Sequence, residues 1–199
     1  MIDIESNSHV HALAFQLKKQ GKSLCGDSFT MVTTDDYFIC AVSDGLGSGE
    51  LAHESSEAVS RIVNEHHEED VGSLFRRANE ALKHKRGATV SIFKVDFSTK
   101  QFTYASVGNV RFVLYSPSDR FVYPLPVLGY MSGKPQKYKV HTYSYEPGSK
   151  FIVHTDGLQV PGVKSLLKNN RSVEDISESL EIYTHARMDD LTYIVGQLL

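Results

Sequence analysis

The chain has 199 residues, which is enough for one domain with a substantial hydrophobic core. Apolar residues make up 41% of it and charged residues 23%, both ordinary values for a globular protein. The formal net charge of -3 argues against a nucleic-acid-binding protein, whose phosphate contacts usually need a basic face. We therefore expect a single domain over residues 1–199 with no nucleic-acid partner.

The sequence also argues against a membrane or secreted protein. No apolar run approaches the roughly 20 residues of a membrane-spanning helix, and the N-terminus lacks a signal-peptide pattern. Without a secretion signal, Cys25 and Cys40 are expected to be free thiols in the cytoplasm. Cys40 lies in an apolar stretch and should be buried. Cys25 has no Cys-x-x-Cys pattern or neighbouring His that would predict a nucleophile.

The first part of the chain predicts strands and then two helices. Strands are expected at residues 10–17, 28–33 and 36–43. Apolar residues then recur at helical spacing over 51–63 and again over 71–82. Asp70 is the expected N-cap of the second helix, because its carboxylate can accept a hydrogen bond from a free backbone N–H.

A strand-rich block follows, and the chain ends with two helices and a strand. The block predicts strands at 87–96, 101–108, 110–116, 120–125, 137–145 and 150–155. Helices are expected at 161–168 and 173–184, the second behind a capping-box start at Ser172, and a last strand at 191–199. This order lacks a βαβ alternation, so it predicts an α+β sandwich of antiparallel sheets covered by helices.

Several aspartates fall where predicted strands begin or end. Asp27 enters a strand, Asp44 and Asp156 leave apolar strands, and Asp189 and Asp190 precede the last one. Carboxylates at the ends of core strands are costly to bury unless a partner neutralises them, and Mg²⁺ and Mn²⁺ are suited to oxygen ligands. Asp-Gly is also a common turn dipeptide, so each pair taken alone fits a turn as well as a ligand.

The order of the motifs narrows the choice. In sequence they are Gly26-Asp27, VSDGLGSGELA (42–52), RGATVSI (86–92), SVGNVRFVLY (106–115), FIVHTDGL (151–158) and DDLTYIV (189–195). This series resembles that of the PP2C-type metal-dependent protein phosphatases, and is most similar to their SpoIIE-like branch. The resemblance implies a PP2C-like α-β-β-α sandwich, with two antiparallel sheets flanked by helices. It also implies serine/threonine phosphatase activity.

The resemblance carries a set of residue roles with it. It implies two divalent metal ions, Mn²⁺ or Mg²⁺, with Asp44 bridging both and the Gly45 carbonyl as a backbone ligand. Asp156 and Asp189 match the carboxylates that hold the first ion. Asp27 matches the aspartate that orients the attacking water. In this family a water activated by both metals attacks phosphorus directly, without a phosphorylated enzyme intermediate.

Some positions depart from the family pattern. Leu46 stands where eukaryotic relatives have a His that is a candidate general acid, and Gly26 replaces an acidic residue. The phosphate-binding arginine upstream of the first motif is missing. Asn109 stands where relatives have an aspartate linked to a third metal site. Asp190 takes the place of an Asn in many relatives and is expected outside the set of ligands.

The resemblance to stand-alone members of this branch also suggests partners. It implies phosphorylated STAS-domain proteins of the stressosome as substrates, and negative regulation of the general stress (sigma-B) response. The residues themselves do not identify the substrate. Nothing in the sequence demands more than a monomer.

Other interpretations stay open at this point. A pseudophosphatase would bind a phosphoprotein without turnover, and the departures at Leu46 and Gly26 favour it. A dinucleotide site is disfavoured, because its glycine pattern needs Gly where Glu50 stands. His154 and His185 could support the metal site or simply pack nearby. Arg86 could meet a phosphate, although ordinary surface pairing is the more common role of an arginine.

Overall fold

The computed structural model describes residues 1–185 and 188–199. No helix among these residues is long and apolar enough to cross a membrane. The strands are β1 (Ile2–Ser6), β2 (Val10–Leu17), β3 (Asp27–Thr33), β4 (Tyr37–Gly45), β5 (Ala88–Asp96), β6 (Gln101–Val107), β7 (Arg111–Ser116), β8 (Arg120–Val122), β9 (His141–Ser144), β10 (Lys150–His154) and β11 (Leu191–Leu198). The helices are α1 (Glu50–Glu65), α2 (Val71–Ala81), α3 (Val163–Asn169) and α4 (Val173–Glu181).

The strands form two antiparallel sheets that lie face to face. One sheet has the order β1-β2-β11-β10-β7-β8 and the other the order β3-β4-β5-β6-β9. Helices α1 and α2 cover the outer face of the five-stranded sheet, and α3 and α4 cover that of the six-stranded sheet. The predicted α+β sandwich, with two antiparallel sheets flanked by helices, is therefore confirmed.

Strand β4 shows why its sequence is apolar throughout. Successive side chains of a strand point to opposite faces of the sheet. Phe38 and Cys40 therefore lie in the core between the sheets, whereas Ile39 and Ala41 pack under α1 and α2. All four side chains are almost completely buried. A strand covered on both faces needs apolar residues at every position, which explains the apolar run of β4.

Helix starts agree with the sequence better than strand ends do. The Asp70 side chain accepts from the Ser73 backbone N–H, and Ser172 opens a complete capping box, both as predicted. Strand β1 was not predicted; its Ile2 and Ile4 are exposed at the edge of the six-stranded sheet.

Three predicted elements are shorter in the structure by three or more residues. Strand β8 stops at Val122 rather than at 125, since Pro124 and Pro126 have no N–H to donate. Strand β9 starts at His141 rather than at 137, because it pairs only with the first four residues of β6, 101–104. Helix α4 ends at Glu181 rather than at 184. The Thr184 hydroxyl donates a hydrogen bond to the carbonyl oxygen of Glu181, the last residue of the helix.

The packing predicts which aromatic ring contributes most to stability. Phe93 is fully buried, with its ring centre 4.8 Å from those of both Phe112 and Phe151. We expect Phe93→Ala to lower the free energy of unfolding by about 3–5 kcal/mol, as for other buried phenylalanines. Urea denaturation measures the loss. The control Phe121→Ala removes a half-buried ring near the sheet edge, and an equal loss there would contradict this view of the core.

Candidate metal centre

Asp27 and Asp44 stand side by side at one end of the five-stranded sheet. They are paired residues in the antiparallel register of β3 and β4. Asp27 is only 2% exposed, and its Oδ2 accepts a hydrogen bond of 2.8 Å from the Thr155 hydroxyl. That hydroxyl accepts in turn from the Thr192 backbone N–H at 3.0 Å. The six-stranded sheet thus fixes the orientation of an aspartate that belongs to the other sheet.

Burial and like charge act together on this pair. Burial, followed by the charge of Asp44, raises the pKa of Asp27 well above its usual value. Burial, followed by the charges of Asp156, Asp189 and Asp190, raises the pKa of Asp44 to about 7. The sequence therefore places several carboxylates close enough to destabilise one another's ionised forms.

The aspartates of the six-stranded sheet reach the same place. Asp156 follows β10 and Asp189 precedes β11, and these neighbouring strands are antiparallel, so the two residues lie at the same end. The Asp156-Gly157 turn packs so tightly that a methyl group on Gly157 would overlap the Asp190 carbonyl oxygen. Glycine here is needed for this close approach of two backbone segments.

Gly45 holds the Asp44 loop in a similar way. Its backbone N–H donates to the Gly26 carbonyl oxygen at 3.0 Å, which joins the first two motifs. A methyl group on Gly45 would overlap the carbonyl oxygen of Ala52 in α1. The start of α1 therefore packs directly on the backbone that follows Asp44.

The departure at Gly26 has a structural reason. A methyl group there would lie 2.7 Å from Oδ2 of Asp190, so the space beside Gly26 already holds a carboxylate. Asp190 is 4% exposed, and its Oδ1 accepts from the Lys19 backbone N–H at 2.9 Å. Asp190 thus supplies negative charge where relatives have an acidic residue in the first motif.

Asn109 links the predicted ligand Asp156 to strand β5, which lies beside Asp44. Its Nδ2 donates to Oδ2 of Asp156 at 2.7 Å, and its Oδ1 accepts from the Thr89 hydroxyl at 2.8 Å. Thr89 is the partner of Asp44 across β4 and β5. Asn109 therefore holds Asp156 by a neutral hydrogen bond, where an aspartate would add another negative charge.

The donor set fits hard divalent cations. It offers carboxylate oxygens and turn carbonyls. Among the described residues, one ion pair involves these aspartates, that of Lys19 with Asp189 at 3.8 Å, so most of their negative charge is not compensated by the protein. Among residues 1–185 and 188–199, no three of the aspartates place one oxygen each within 4.8 Å of one another. Asp156 and Asp189 are exposed, so side-chain rotation can bring their oxygens toward Asp44.

Two clefts open beside Asp156. The larger has a volume of about 810 Å³ and is lined by Arg111, His154 and Asp156, among others. The smaller, of about 510 Å³, lies between Asp156 and Asp189. The larger cleft therefore exposes Asp156 to solvent, and the smaller exposes both Asp156 and Asp189.

The two histidines near the aspartates differ in burial. His154 is 4% exposed, its Nδ1 lies 2.8 Å from the Thr155 carbonyl oxygen, and burial lowers its pKa. It is a packed, neutral side chain that supports the Thr155 segment. His185 is exposed.

Neither cysteine is suited to act as a nucleophile. Burial raises the pKa of both thiols, and at Cys25 the neighbouring charge of Asp27 raises it further. Both are free, as expected. Thiolate chemistry is therefore disfavoured beside the aspartates, in agreement with the sequence.

A separate acidic group lies at the far end of α1. His66, Glu68 and Glu69 place ligand atoms within 4.8 Å of one another, an arrangement that the sequence did not predict. Glu69 already forms a two-pronged pair with Arg77, with a shortest distance of 2.7 Å. The group lies at the opposite end of the helix from Asp44, so it takes no part in the aspartate centre.

Comparisons with known proteins agree with this geometry. Residues 34–160 match the model of the family described as Stage II sporulation protein E (SpoIIE). The chain belongs to the SpoIIE family. It is 61% identical over 198 residues to phosphoserine phosphatase RsbX of Bacillus subtilis (strain 168), with both chains fully covered. The resemblance inferred from the motif order is thereby confirmed.

Solved structures of SpoIIE-family and related proteins share the fold. A crystal structure of RsbX in complex with magnesium superposes with a TM-score of 0.97 at 60% identity, covering both chains fully. A structure from work on the bacterial stressosome gives 0.84 at 26% identity, covering 94% of this chain and 99% of the other. The PP2C phosphatase domain of SpoIIE from Bacillus subtilis gives 0.76 at 17% identity, covering 100% and 71%, and it supports the fold alone.

The raised carboxyl pKa values predict how pH affects the metal-free protein. The folded pKa of Asp44 is about 7, above the unfolded value of 3.8, so the folded state binds more protons between these values. This site therefore lowers the free energy of unfolding as pH rises from about 4 to about 7. In thermal unfolding with chelator, the melting temperature of the wild type should fall more between pH 4 and pH 7 than that of Asp44→Asn. Equal falls in melting temperature would contradict the raised pKa of Asp44.

The hydrogen bond from Asn109 predicts a role in metal affinity. We expect Asn109→Ala to weaken Mn²⁺ binding by about 10–100-fold, as loss of a partner that orients a ligand often does. Calorimetric titration measures this affinity. Asn64→Ala is the matched control, because Asn64 contacts only Thr30 among the described hydrogen bonds. Unchanged affinity in Asn109→Ala would show that Asp156 needs no such support.

Proposed function

We propose that the chain is a metal-dependent protein phosphatase that acts on phosphoserine and phosphothreonine. The observation that carries this proposal is the convergence of Asp27, Asp44, Asp156 and Asp189 at one end of the sandwich, from the ends of four different strands. Identity of 61% to a phosphoserine phosphatase over the full length supports the same activity.

The metal-binding roles follow the family pattern. Asp44 would bridge two ions, Mg²⁺ or Mn²⁺, with the Gly45 carbonyl as a backbone ligand, and Asp156 and Asp189 would complete the first ion's shell. The RsbX crystal structure is a magnesium complex, which supports this choice of ion. When bound, two such cations lower the pKa of a water molecule and offset charge on the phosphoryl oxygens.

The chain's own residues prepare the site for direct attack by water. Thr155 holds Oδ2 of Asp27, and the Asp27 carboxylate would orient the attacking water by accepting a hydrogen bond from it. Leu46 cannot protonate the leaving serine oxygen, so this proton would come from water or from another residue. We expect a slow chemical step for that reason.

The substrate and cellular role are proposed from the relatives. The chain is closely similar to RsbX, and a structure from stressosome work is also similar to it. We therefore infer that it removes phosphate from STAS-domain proteins of the stressosome and restrains the general stress (sigma-B) response. We expect it to act in the cytoplasm as a monomer.

The test is metal-dependent phosphate release from a panel of phosphoproteins that includes phosphorylated STAS domains. Release with Mn²⁺ or Mg²⁺, stopped by chelator, is the expected result. Asp44→Asn should lose at least about 100-fold in kcat, since a lost bridging charge removes stabilisation that develops in the transition state.

The matched control is Asp36→Asn, an exposed aspartate in the turn before β4, which should keep wild-type activity. Activity that persists in chelator, or in Asp44→Asn, would overturn the proposal. Tight binding of a phosphoprotein without phosphate release would instead support the pseudophosphatase alternative.

A further inference from the structure

Arg86 lies at the same end of the five-stranded sheet as the aspartates. Strand β5 begins at Ala88, which pairs with Gly45, and the next pair in register is Thr89 with Asp44. Arg86 is thus two residues before the strand that adjoins Asp44. The backbone between them is fixed, because the Leu46 N–H donates to the Gly87 carbonyl oxygen at 3.0 Å.

The guanidinium group of Arg86 lies over the glycine loop that follows Asp44. A methyl group on Gly47 would overlap Nη1 of Arg86 and would lie 3.4 Å from its Cζ. Gly47 has a φ of +93°, a conformation that favours glycine, so the loop is shaped to leave this space for the arginine. The Arg86 guanidinium therefore lies against Gly47, which follows the proposed bridging ligand Asp44 by three positions in the sequence.

Arg86 has no ion pair or side-chain hydrogen bond with any of the residues that the structure describes. Surface pairing, the more common role, is therefore not found. Arg77 and Arg120, by contrast, pair with Glu69 and Glu146. Its five donors remain directed to solvent or to a ligand.

A phosphate monoester dianion can be held by a positive group in addition to the metals. The planar guanidinium fork of an arginine can donate two parallel hydrogen bonds to phosphate oxygens. We propose that Arg86 anchors the substrate phosphate at the mouth of the aspartate centre. This role rests on the proposed phosphatase function. Arg86 is then a binding residue for the phosphoryl group, whereas the aspartates act through the metals.

Phosphate binding can be measured separately from turnover. The probe is inorganic phosphate, titrated into Mg²⁺-loaded protein while the arginine side-chain Nε–H signals are followed by NMR. We expect the Arg86 signal to shift on saturation, and Arg86→Gln to weaken phosphate binding by about 10–100-fold, as for other hydrogen bonds to charged groups. Arg86→Lys should recover only part of the affinity, because an ammonium lacks the planar fork.

Two other arginines serve as comparisons. Arg61 is exposed on α1, about 16 Å along the helix from its start, and Arg61→Gln should bind phosphate like the wild type. Arg111 lines the larger cleft and is the rival anchor. The proposal is overturned if Arg86→Gln binds phosphate as tightly as Arg61→Gln, or if only Arg111→Gln loses affinity.

Steady-state kinetics give the second measurement. With a phosphoserine peptide and saturating Mn²⁺, Arg86→Gln should raise KM by about tenfold or more while the affinity for Mn²⁺ stays at the wild-type value. An unchanged KM would contradict the anchoring role. If the wild type shows no turnover, the phosphatase proposal fails, and the phosphate titration still decides whether Arg86 binds phosphate.

Discussion

Repulsion between carboxylates at the end of the sandwich is the constraint on which the site depends. Asp27 and Asp44 are paired across two strands, and the pKa of each is raised by burial and by neighbouring negative charge. Such an arrangement costs folding free energy unless cations compensate it. The fold keeps the charges together by backbone contacts too tight for any side chain, at Gly45 and Gly157.

The structure explains two of the departures from the family pattern, at Gly26 and at Asn109, of which the first had favoured a binding protein without activity. Gly26 lacks an acidic side chain because the Asp190 carboxylate occupies the adjacent space, so the negative charge of the centre is kept. Asn109 replaces an aspartate, yet it donates a hydrogen bond to Asp156 and so orients a proposed ligand. Both changes alter how charge is distributed. Neither change removes a carboxylate that is proposed to hold the two metal ions.

Much of the architecture could be predicted from local patterns. The uninterrupted apolar run of β4 predicts a strand covered on both faces, and the structure has it between the second sheet and two helices. Asp70 and Ser172 mark helix starts through short-range hydrogen bonds, which depend on residues three positions away. The order of motifs then indicated the family. Strand β1, whose apolar residues are exposed, gave no such pattern.

The supporting contacts of the site could not be predicted in the same way. Thr155 and Asp27 are 128 positions apart and belong to different sheets, so their hydrogen bond depends on how the sheets pack. The contact between Gly26 and Asp190 has the same origin. The sequence offered Arg86 as a possible phosphate ligand, but only the packing against Gly47 showed where its guanidinium lies.

In the proposed site the Asp44 carboxylate is shared by two divalent ions. Anomalous diffraction at the manganese absorption edge, from crystals soaked in Mn²⁺, would locate them. We expect two peaks roughly 3.5–4 Å apart, one on each side of the Asp44 carboxylate. Asp156 and Asp189 should lie beside the first. A single peak away from Asp44, or none at the aspartates, would contradict the proposed site.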